Sequence, residues 1–273
     1  MPIDESIKTA KDGVALVGEI IKAAGDNPNV KEAGSNLGET ALTITKTINN
    51  VLLPLAAVNF AFDKARIYFS ETFQQDLSQK TSAIPLEQIV EPKASIAGPT
   101  LQGLAFTHEE ANLKDMYLSL LATAMDGRVA AEAHPAFVEI IKQLNSEEAA
   151  LIRGILRSRD AIPIAEIRVT TVDKQSWKTL ANHMLNLTDS ETAIPVENSR
   201  GPAMVDNWIR LGLVEVDYTK HLTDAESYAW VDKRPEVIRY RQLHENETQK
   251  ISFANGIIIR TALGIQFAKA VGL

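Results

Sequence analysis

The sequence contains no cysteine among its 273 residues. Disulfide bridges, zinc sites with thiolate ligands, iron–sulfur clusters and thiol nucleophiles are therefore excluded, because each of them requires cysteine. A protein without disulfides suits a reducing compartment, and we expect this one in the cytoplasm.

Long apolar runs are missing as well. The most hydrophobic stretch, VLLPLAAVNFAF at 51–62, is shorter than the roughly 20 residues that a membrane-spanning helix needs, and it contains Pro54 and Asn59. The start, MPIDESIKTAKDG, lacks the basic-then-apolar order of a secretory signal. We expect 51–62 to form a buried pair of helices, and a segment that acts on membranes is the alternative.

Motifs that carry common chemistries are also absent. The chain has no GxxxxGK[ST] or GxGxxG phosphate loop and no GxSxG nucleophile elbow. None of its five histidines stands in a paired-ligand spacing such as HExxH. We therefore expect no catalytic, metal-binding or cofactor-binding residue, and a protein that is not an enzyme.

The length and composition favour two folded domains. Hydrophobic residues make up 45% and charged residues 23% of the chain, both close to the averages of folded soluble proteins. We place a helical domain at 1–144 and a second domain at 145–273.

Apolar residues in the first part recur at three- and four-residue spacing, which predicts helices. Such stripes run from Ile7 to Ile21 and from Val30 to Ile48, and another helix follows through Ala65 and Phe69. Between 81 and 99 the prolines and Gly98 predict a long ordered connection.

Three later sites carry signals for a helix start. Thr107-His-Glu-Glu110 has the capping-box arrangement, and so do Asn145 and Glu148. His134 precedes Pro135, a residue favoured in the first turn of a helix. We interpret His134 as a capping histidine and the acids after His108 as partners of a helix N-terminus.

The second part mixes helical and strand patterns. A helix at 146–158 precedes the β-rich segment 162–169, and further strands are predicted at 213–218 and 257–260. Trp177, Leu180, Ala181 and Met184 have helical spacing, and a third helix contains Pro202, Val205 and Trp208. These elements predict a mainly α fold with a small α+β domain of winged-helix type at the end.

A winged helix would make nucleic acid a candidate partner, with contacts from Arg153, Arg157, Arg200 and Arg210. The charge balance argues against this, because residues 145–273 contain 16 Lys and Arg against 17 Asp and Glu. Asp206 also lies in the predicted recognition helix. Trp177 and Trp208 occupy apolar helical positions, so we expect them in the core and not as stacking platforms for bases.

Several stretches of the sequence resemble a known family. They are EPKASIAGPTLQGLAF, then FTHEEANLKDMYLSLLATAMDGRVAAEAHPAFVEIIKQLNSEEAALI, and finally WIRLGLVEVDY and IIIRTALGIQFAKA. These segments are similar to the abortive infection alpha family. The resemblance implies a bacterial or prophage protein that limits phage multiplication, and it supplies no catalytic residue to transfer.

The resulting expectation is a phage-defence protein that works through a protein partner or a conformational change. A winged-helix regulator that binds nucleic acid, an effector that disrupts membranes and an enzyme with an unfamiliar site stay open as alternatives. The sequence does not indicate an oligomeric state.

Overall fold

The protein is described by a computed structural model over residues 59–273, with the exception of 174 and 175. The helices predicted between Ile7 and Ile48, and most of the apolar segment 51–62, lie outside the described residues. The α-helices are α1 Asn59–Glu71, α2 Phe73–Thr81, α3 Ala94–Thr107, α4 Ala111–Met125, α5 Pro135–Lys142, α6 Ser146–Arg157, α7 Gly201–Arg210, α8 Pro235–His244 and α9 Ala262–Ala270. The strands are β1 Ile162–Thr171, β2 Ser176–Met184, β3 Val214–Asp217 and β4 Gln249–Arg260.

The chain divides into two compact units. In its described part the first unit covers 59–150 and Gln266–Leu273, and the second covers Leu151–Ile265. The architecture is mixed, with more residues in helices than in strands and a single four-stranded sheet in the described part. The domain boundary expected between 144 and 145 stays a prediction, and the last eight residues group with the first unit.

The first unit is a bundle of helices around an apolar core. Helix α3 packs against α1, α4 and α5, and α4 packs against α2 and α5. Its largest fully buried apolar side chains are Ile96, Leu101, Leu104, Met116, Tyr117, Leu120, Leu121, Phe137, Ile141 and Phe267. Burial of these side chains is the main stabilising contribution, since each is worth about 1.5–3 kcal/mol.

Helix α3 begins before Pro99 and continues through it. The prolines therefore do not keep the whole of 81–99 irregular. The connection predicted there ends at residue 93. Proline inside a helix removes one backbone hydrogen bond. The helix forms nevertheless because it buries Ile96, Ala97, Leu101 and Leu104 against its neighbours.

Two of the three predicted helix starts are confirmed. Asn145 and Glu148 exchange side-chain and backbone hydrogen bonds of 2.9 Å, which is the capping box. The ring of His134 accepts a 3.1 Å bond from the backbone amide of Ala136 and caps α5.

The capping box predicted at Thr107 is wrong. Thr107 is the last residue of α3, and its hydroxyl donates to the carbonyl of Gly103 at 2.9 Å. Because its backbone is already helical, it cannot cap the next helix. Glu110 takes the N-cap position of α4 without a side-chain cap bond, and Glu109 binds Lys64 of α1 at 2.6 and 2.8 Å.

The second unit contains an antiparallel sheet with the strand order β2-β1-β4-β3. Strands β1 and β4 form its centre and pair without interruption from Ile162↔Ile258 to Thr171↔Gln249. Successive side chains of a strand point to opposite faces of a sheet. The pairing therefore decides which residues of β1 meet the core.

One face of the sheet is apolar. Ala165 and Ile167 of β1 pack with Met184, Tyr228, Val231 and Val237 in a buried cluster. Helix α8 packs against β4, and the 3₁₀ turn Ala225–Tyr228 packs against β1. The opposite face, which we call the polar face, carries Glu166, Arg168 and Thr170 of β1.

Strand β2 corrects the prediction of a helix around Trp177 to Met184. The pairs Ala165↔Met184, Ile167↔Ala181 and Arg168↔Thr179 show two register shifts, so β2 is bulged twice. A bulge interrupts the alternation of faces. Leu180, Ala181 and Met184 thus reach the same apolar cluster from a strand, which explains why their spacing resembles that of a helix.

A buried arginine fixes the segment between β2 and α7. Arg234 is 1% exposed and donates to the carbonyls of Leu187 at 2.7 Å and Val196 at 2.8 Å. It also pairs with the buried Glu236 at 2.8 Å. The guanidinium therefore connects this segment to the start of α8 in place of backbone pairing.

Within the described residues, no helix has both the length and the apolar character that crossing a membrane requires.

A matched pair of glycine substitutions tests the packing of the sheet. A Cβ at Gly256 in β4 would lie 2.6 Å from Cδ1 of Tyr218 and 3.0 Å from the carbonyl oxygen of Asp217. Gly256→Ala is expected to lower the free energy of unfolding by about 1–3 kcal/mol. Gly154→Ala, in α6 with nothing within 4 Å, is expected to raise it by up to about 1 kcal/mol.

Urea denaturation of the two variants measures both effects. Equal changes in the two variants would contradict the close contact between Gly256 and Tyr218.

Candidate functional site on the polar sheet face

The polar face brings together charged and hydroxyl groups that lie far apart in the sequence. Glu166 accepts hydrogen bonds from Nε of Arg168 at 2.6 Å and from the hydroxyl of Thr179 at 2.7 Å, both at its Oε1. Arg168 and Thr179 are cross-strand neighbours, so the β1–β2 register positions both donors.

A histidine and a tyrosine form a second hydrogen-bonded group towards α7, close enough for a charge on His183 to act on Glu166. The hydroxyl of Tyr218 accepts a 3.0 Å bond from the backbone amide of His183 and lies 3.1 Å from its Nδ1. The other ring nitrogen, Nε2, lies 3.2 Å from Oδ1 of Asp206 in α7. A neutral imidazole with its proton on Nε2 satisfies all three contacts.

The backbone at His183 is unusual. Its φ of 54° lies in the left-handed region, which non-glycine residues seldom adopt. It comes one residue before Met184, whose side chain enters the apolar cluster on the other face. His183 also lies between Ala181 and Met184, where the β1–β2 register shifts, so its left-handed backbone belongs to a bulge of β2.

Burial and hydrogen bonds set the ionisation of the two central groups. Burial opposes the charge on Glu166, but the bonds from Arg168 and Thr179 outweigh it and lower the pKa of this carboxyl below its ordinary 4.5. Burial also raises the pKa of Tyr218 to about 12. At neutral pH the site therefore holds an ionised carboxylate and a protonated phenol.

The hydrogen bonds that these groups already make limit the chemistry they can perform. Glu166 is already bound by two donors, and both ring nitrogens of His183 have partners. The chain from Tyr218 through His183 to Asp206 can hold and orient a proton. Among the described residues, no group of three or more histidines, aspartates or glutamates is arranged to hold a metal ion.

Trp177 lies beside this network and not in the core. Its side chain is 54% exposed, and the guanidinium carbon of Arg168 lies 3.8 Å from the centre of its ring. The prediction of a buried Trp177 is wrong because β2 is an edge strand and the residue projects from the polar face. The prediction for Trp208 is confirmed, since that side chain is 0% exposed.

The four arginines predicted for nucleic acid lie on or at the start of helices α6 and α7, and not on the strands that carry Glu166, Arg168 and Thr179. Arg200 is the N-cap of α7 and Arg210 its last residue, so about 15 Å of helix separates them. Arg210 binds the side chain of Asn207 at 2.6 Å, and the exposed Asp206 lies between the two arginines in sequence. Arg153 and Arg157 are one turn apart on α6. Their role in binding stays a prediction.

Other histidines have structural surroundings. His108 stacks on Tyr68 with ring centres 4.8 Å apart, and His244 is the last residue of α8, as expected for a helix end. His183, by contrast, contacts the side chains of Tyr218 and of Asp206 in α7. Its sequence context gave no sign of these contacts.

Sequence reasoning missed Glu166, Arg168 and Tyr218. A usable signal was present in β1, because Ile164-Ala-Glu-Ile-Arg168 places two charged residues at alternate positions of a β-rich segment. Tyr218 had no comparable signal, since its position depends on the pairing of β3 with β4 and on the space above Gly256.

The fold and the site define a two-unit protein of helices and one antiparallel sheet, with an internally bonded polar network on one face of that sheet. The family model for abortive infection alpha matches residues 65–271, which is more than half of the chain. The chain belongs to the abortive infection alpha family.

The searches of curated proteins and of solved structures each found no match.

The lowered pKa of Glu166 predicts a pH dependence of stability. A carboxyl that ionises more readily in the folded state stabilises it above pH 4.5, and this contribution is lost as the pH falls below that value. Glu166→Gln cannot ionise. We expect it to be less stable than the wild type at pH 7 and to lose less stability between pH 7 and pH 3.

Chemical denaturation across this pH range gives the comparison. The control is Glu247→Gln, an exposed position in the same unit, which should follow the wild-type curve. Identical pH dependence in the wild type and Glu166→Gln would show that the Arg168 and Thr179 bonds do not hold the charged carboxylate.

Proposed function

We propose that this protein acts in phage defence by abortive infection, in the cytoplasm, through contact with a protein partner or through a conformational change, without catalysis of its own. The observation that carries the proposal is the family match over residues 65–271. The internal bonding of the polar network argues against catalysis by its carboxylate and imidazole, because both are engaged with neighbouring side chains.

Exposed apolar side chains in the second unit support a protein partner. Val196 lies in the segment held by Arg234, and Ile238 and Leu243 lie on α8. Glu197 and Arg239 form two hydrogen bonds of 2.5 and 2.8 Å, which hold this segment beside α8. Exposed apolar side chains among polar ones are typical of protein interfaces.

A phage assay tests the proposal. Expression in a bacterial host is expected to lower the yield of at least one phage in a broad panel. The double variant Ile238→Asp with Leu243→Asp should lose this protection, because two charges would be desolvated at the interface. Ile265→Asp, a change at another exposed apolar position, should retain it.

Circular dichroism of each purified variant shows whether it is folded. A soluble, folded wild-type protein that changes the yield of no phage would rule out the proposal.

A nucleic-acid regulator of winged-helix type is the second candidate, and one observation favours it. Helix α6, strand β1, helix α7 and strands β3 and β4 follow each other in the order of a winged helix, and the sheet order β1-β4-β3 fits that fold. Strand β2 stands where the second helix would be, and Asp206 in α7 would repel a phosphate backbone.

This candidate predicts binding to duplex DNA through α7. Replacing Arg200 and Arg210 together with glutamine should weaken the binding and reduce the slope of log affinity against log salt by about 2, one for each lost phosphate contact. Electrophoretic mobility shifts over a salt series measure this. The same change at Lys233 and Arg241, outside α7, is the control, and an unshifted duplex at low salt would reject the candidate.

A further inference from the structure

Trp177 offers an aromatic surface to the solvent. Arg168 covers one side of the indole at 3.8 Å, while more than half of the side chain stays exposed. A guanidinium stacked on tryptophan holds the ring in place, since the cation is attracted to the face of the indole. The indole is therefore a positioned platform with space for a second planar group.

Hydroxyl and amino groups extend from this platform across the sheet. Thr170 is paired with Trp177 on one side and with Lys250 on the other, so these three residues form one row of the polar face. Adjacent strands are about 4.8 Å apart, which puts Lys250 roughly 10 Å from Trp177. In the next row, Ser252 shares a 2.6 Å hydrogen bond with Thr170.

The cationic groups of this surface can donate hydrogen bonds to a ligand. Arg168 uses its Nε for Glu166, and its two terminal nitrogens donate no hydrogen bond to any described residue. Lys250 is exposed at the same end of the sheet. Helix α7 packs against β2 and β3, and its contact with the network is made at His183, beyond the rows of Trp177 and Arg168.

We infer that the row Trp177, Thr170 and Lys250, together with Arg168, binds single-stranded nucleic acid. One base stacks on the indole, and the phosphates on either side meet Arg168 and Lys250. An aromatic platform flanked by cations on an open sheet is the combination by which proteins hold unpaired bases. The bases of a duplex are already stacked on each other and cannot use the platform.

This surface is separate from the arginines of α6 and α7, and the inference does not depend on a role in phage defence. It also does not require a net positive domain, because stacking contributes independently of charge. The occupant is a strand and not a duplex, and this difference can be measured directly.

Fluorescence anisotropy with labelled oligouridine and oligothymidine of about 12 nucleotides, in low salt and with the full chain, tests the inference. The wild type should bind both strands more tightly than a duplex of the same length. Trp177→Ala should weaken the binding about ten-fold, while Trp177→Phe retains most of it. Lys250→Gln should reduce the slope against log salt by about 0.7, the value for one phosphate contact to a single strand, without affecting the stacking.

Two control variants distinguish binding at this surface from binding at other charged groups. Lys220→Gln removes an exposed charge that is paired with Asp217 outside this surface, and it should bind as the wild type does. The Arg200 and Arg210 double variant should also retain single-strand binding. Lys250→Gln still reports on the surface if Trp177→Ala does not fold.

Absence of single-strand binding at low salt would overturn the inference. So would wild-type affinity in folded Trp177→Ala, or a preference for duplex that depends on Arg200 and Arg210.

Discussion

The pairing of β1 with β4 is the constraint on which the second unit depends. Because the ladder runs unbroken through ten residue pairs, it fixes the face of every side chain in β1. A shift of one residue would send Glu166 and Arg168 into the apolar cluster and Ala165 and Ile167 to the opposite side. The core, the polar network and the exposed platform therefore all follow from one register.

Two ionic arrangements in this unit have different consequences. Arg234 and Glu236 are both buried, and Arg234 also binds two carbonyls, so this pair orders a segment that has little regular structure. Glu166 is buried as well, but its partner Arg168 keeps 24% of its side chain exposed and leaves part of the guanidinium available. Removing one partner of a buried pair leaves an uncompensated charge, which costs more than breaking a pair at the surface.

The family assignment concerns most of the chain, whereas the polar face concerns one sheet of the second unit. Membership in the abortive infection alpha family rests on 65–271, which covers both units. The geometry of the polar face concerns a few side chains of the second unit alone. A defence role and a surface for unpaired bases are compatible, because proteins commonly place separate binding surfaces on one fold.

Structural features that depend on residues close together in the sequence were predicted well. The capping box of Asn145 and Glu148 and the cap from His134 need only residues within one helical turn. The prediction failed at Thr107 because α3 extends past Pro99, which depends on burial against other helices. It failed at β2 because two bulges reproduce a helical spacing on a strand.

The sequence by itself determined helices α1, α6 and α7, the strands at 162–169, 213–218 and 257–260, the lack of cysteine chemistry and the family. Only the tertiary structure decided that Glu166, Arg168, His183 and Tyr218 lie close together, and that Trp177 is exposed. The physical reason is that helix caps and periodicity are interactions between near neighbours in the chain. Strand register, by contrast, joins residues about 80 positions apart, such as Thr170 and Ser252, and no local pattern specifies it.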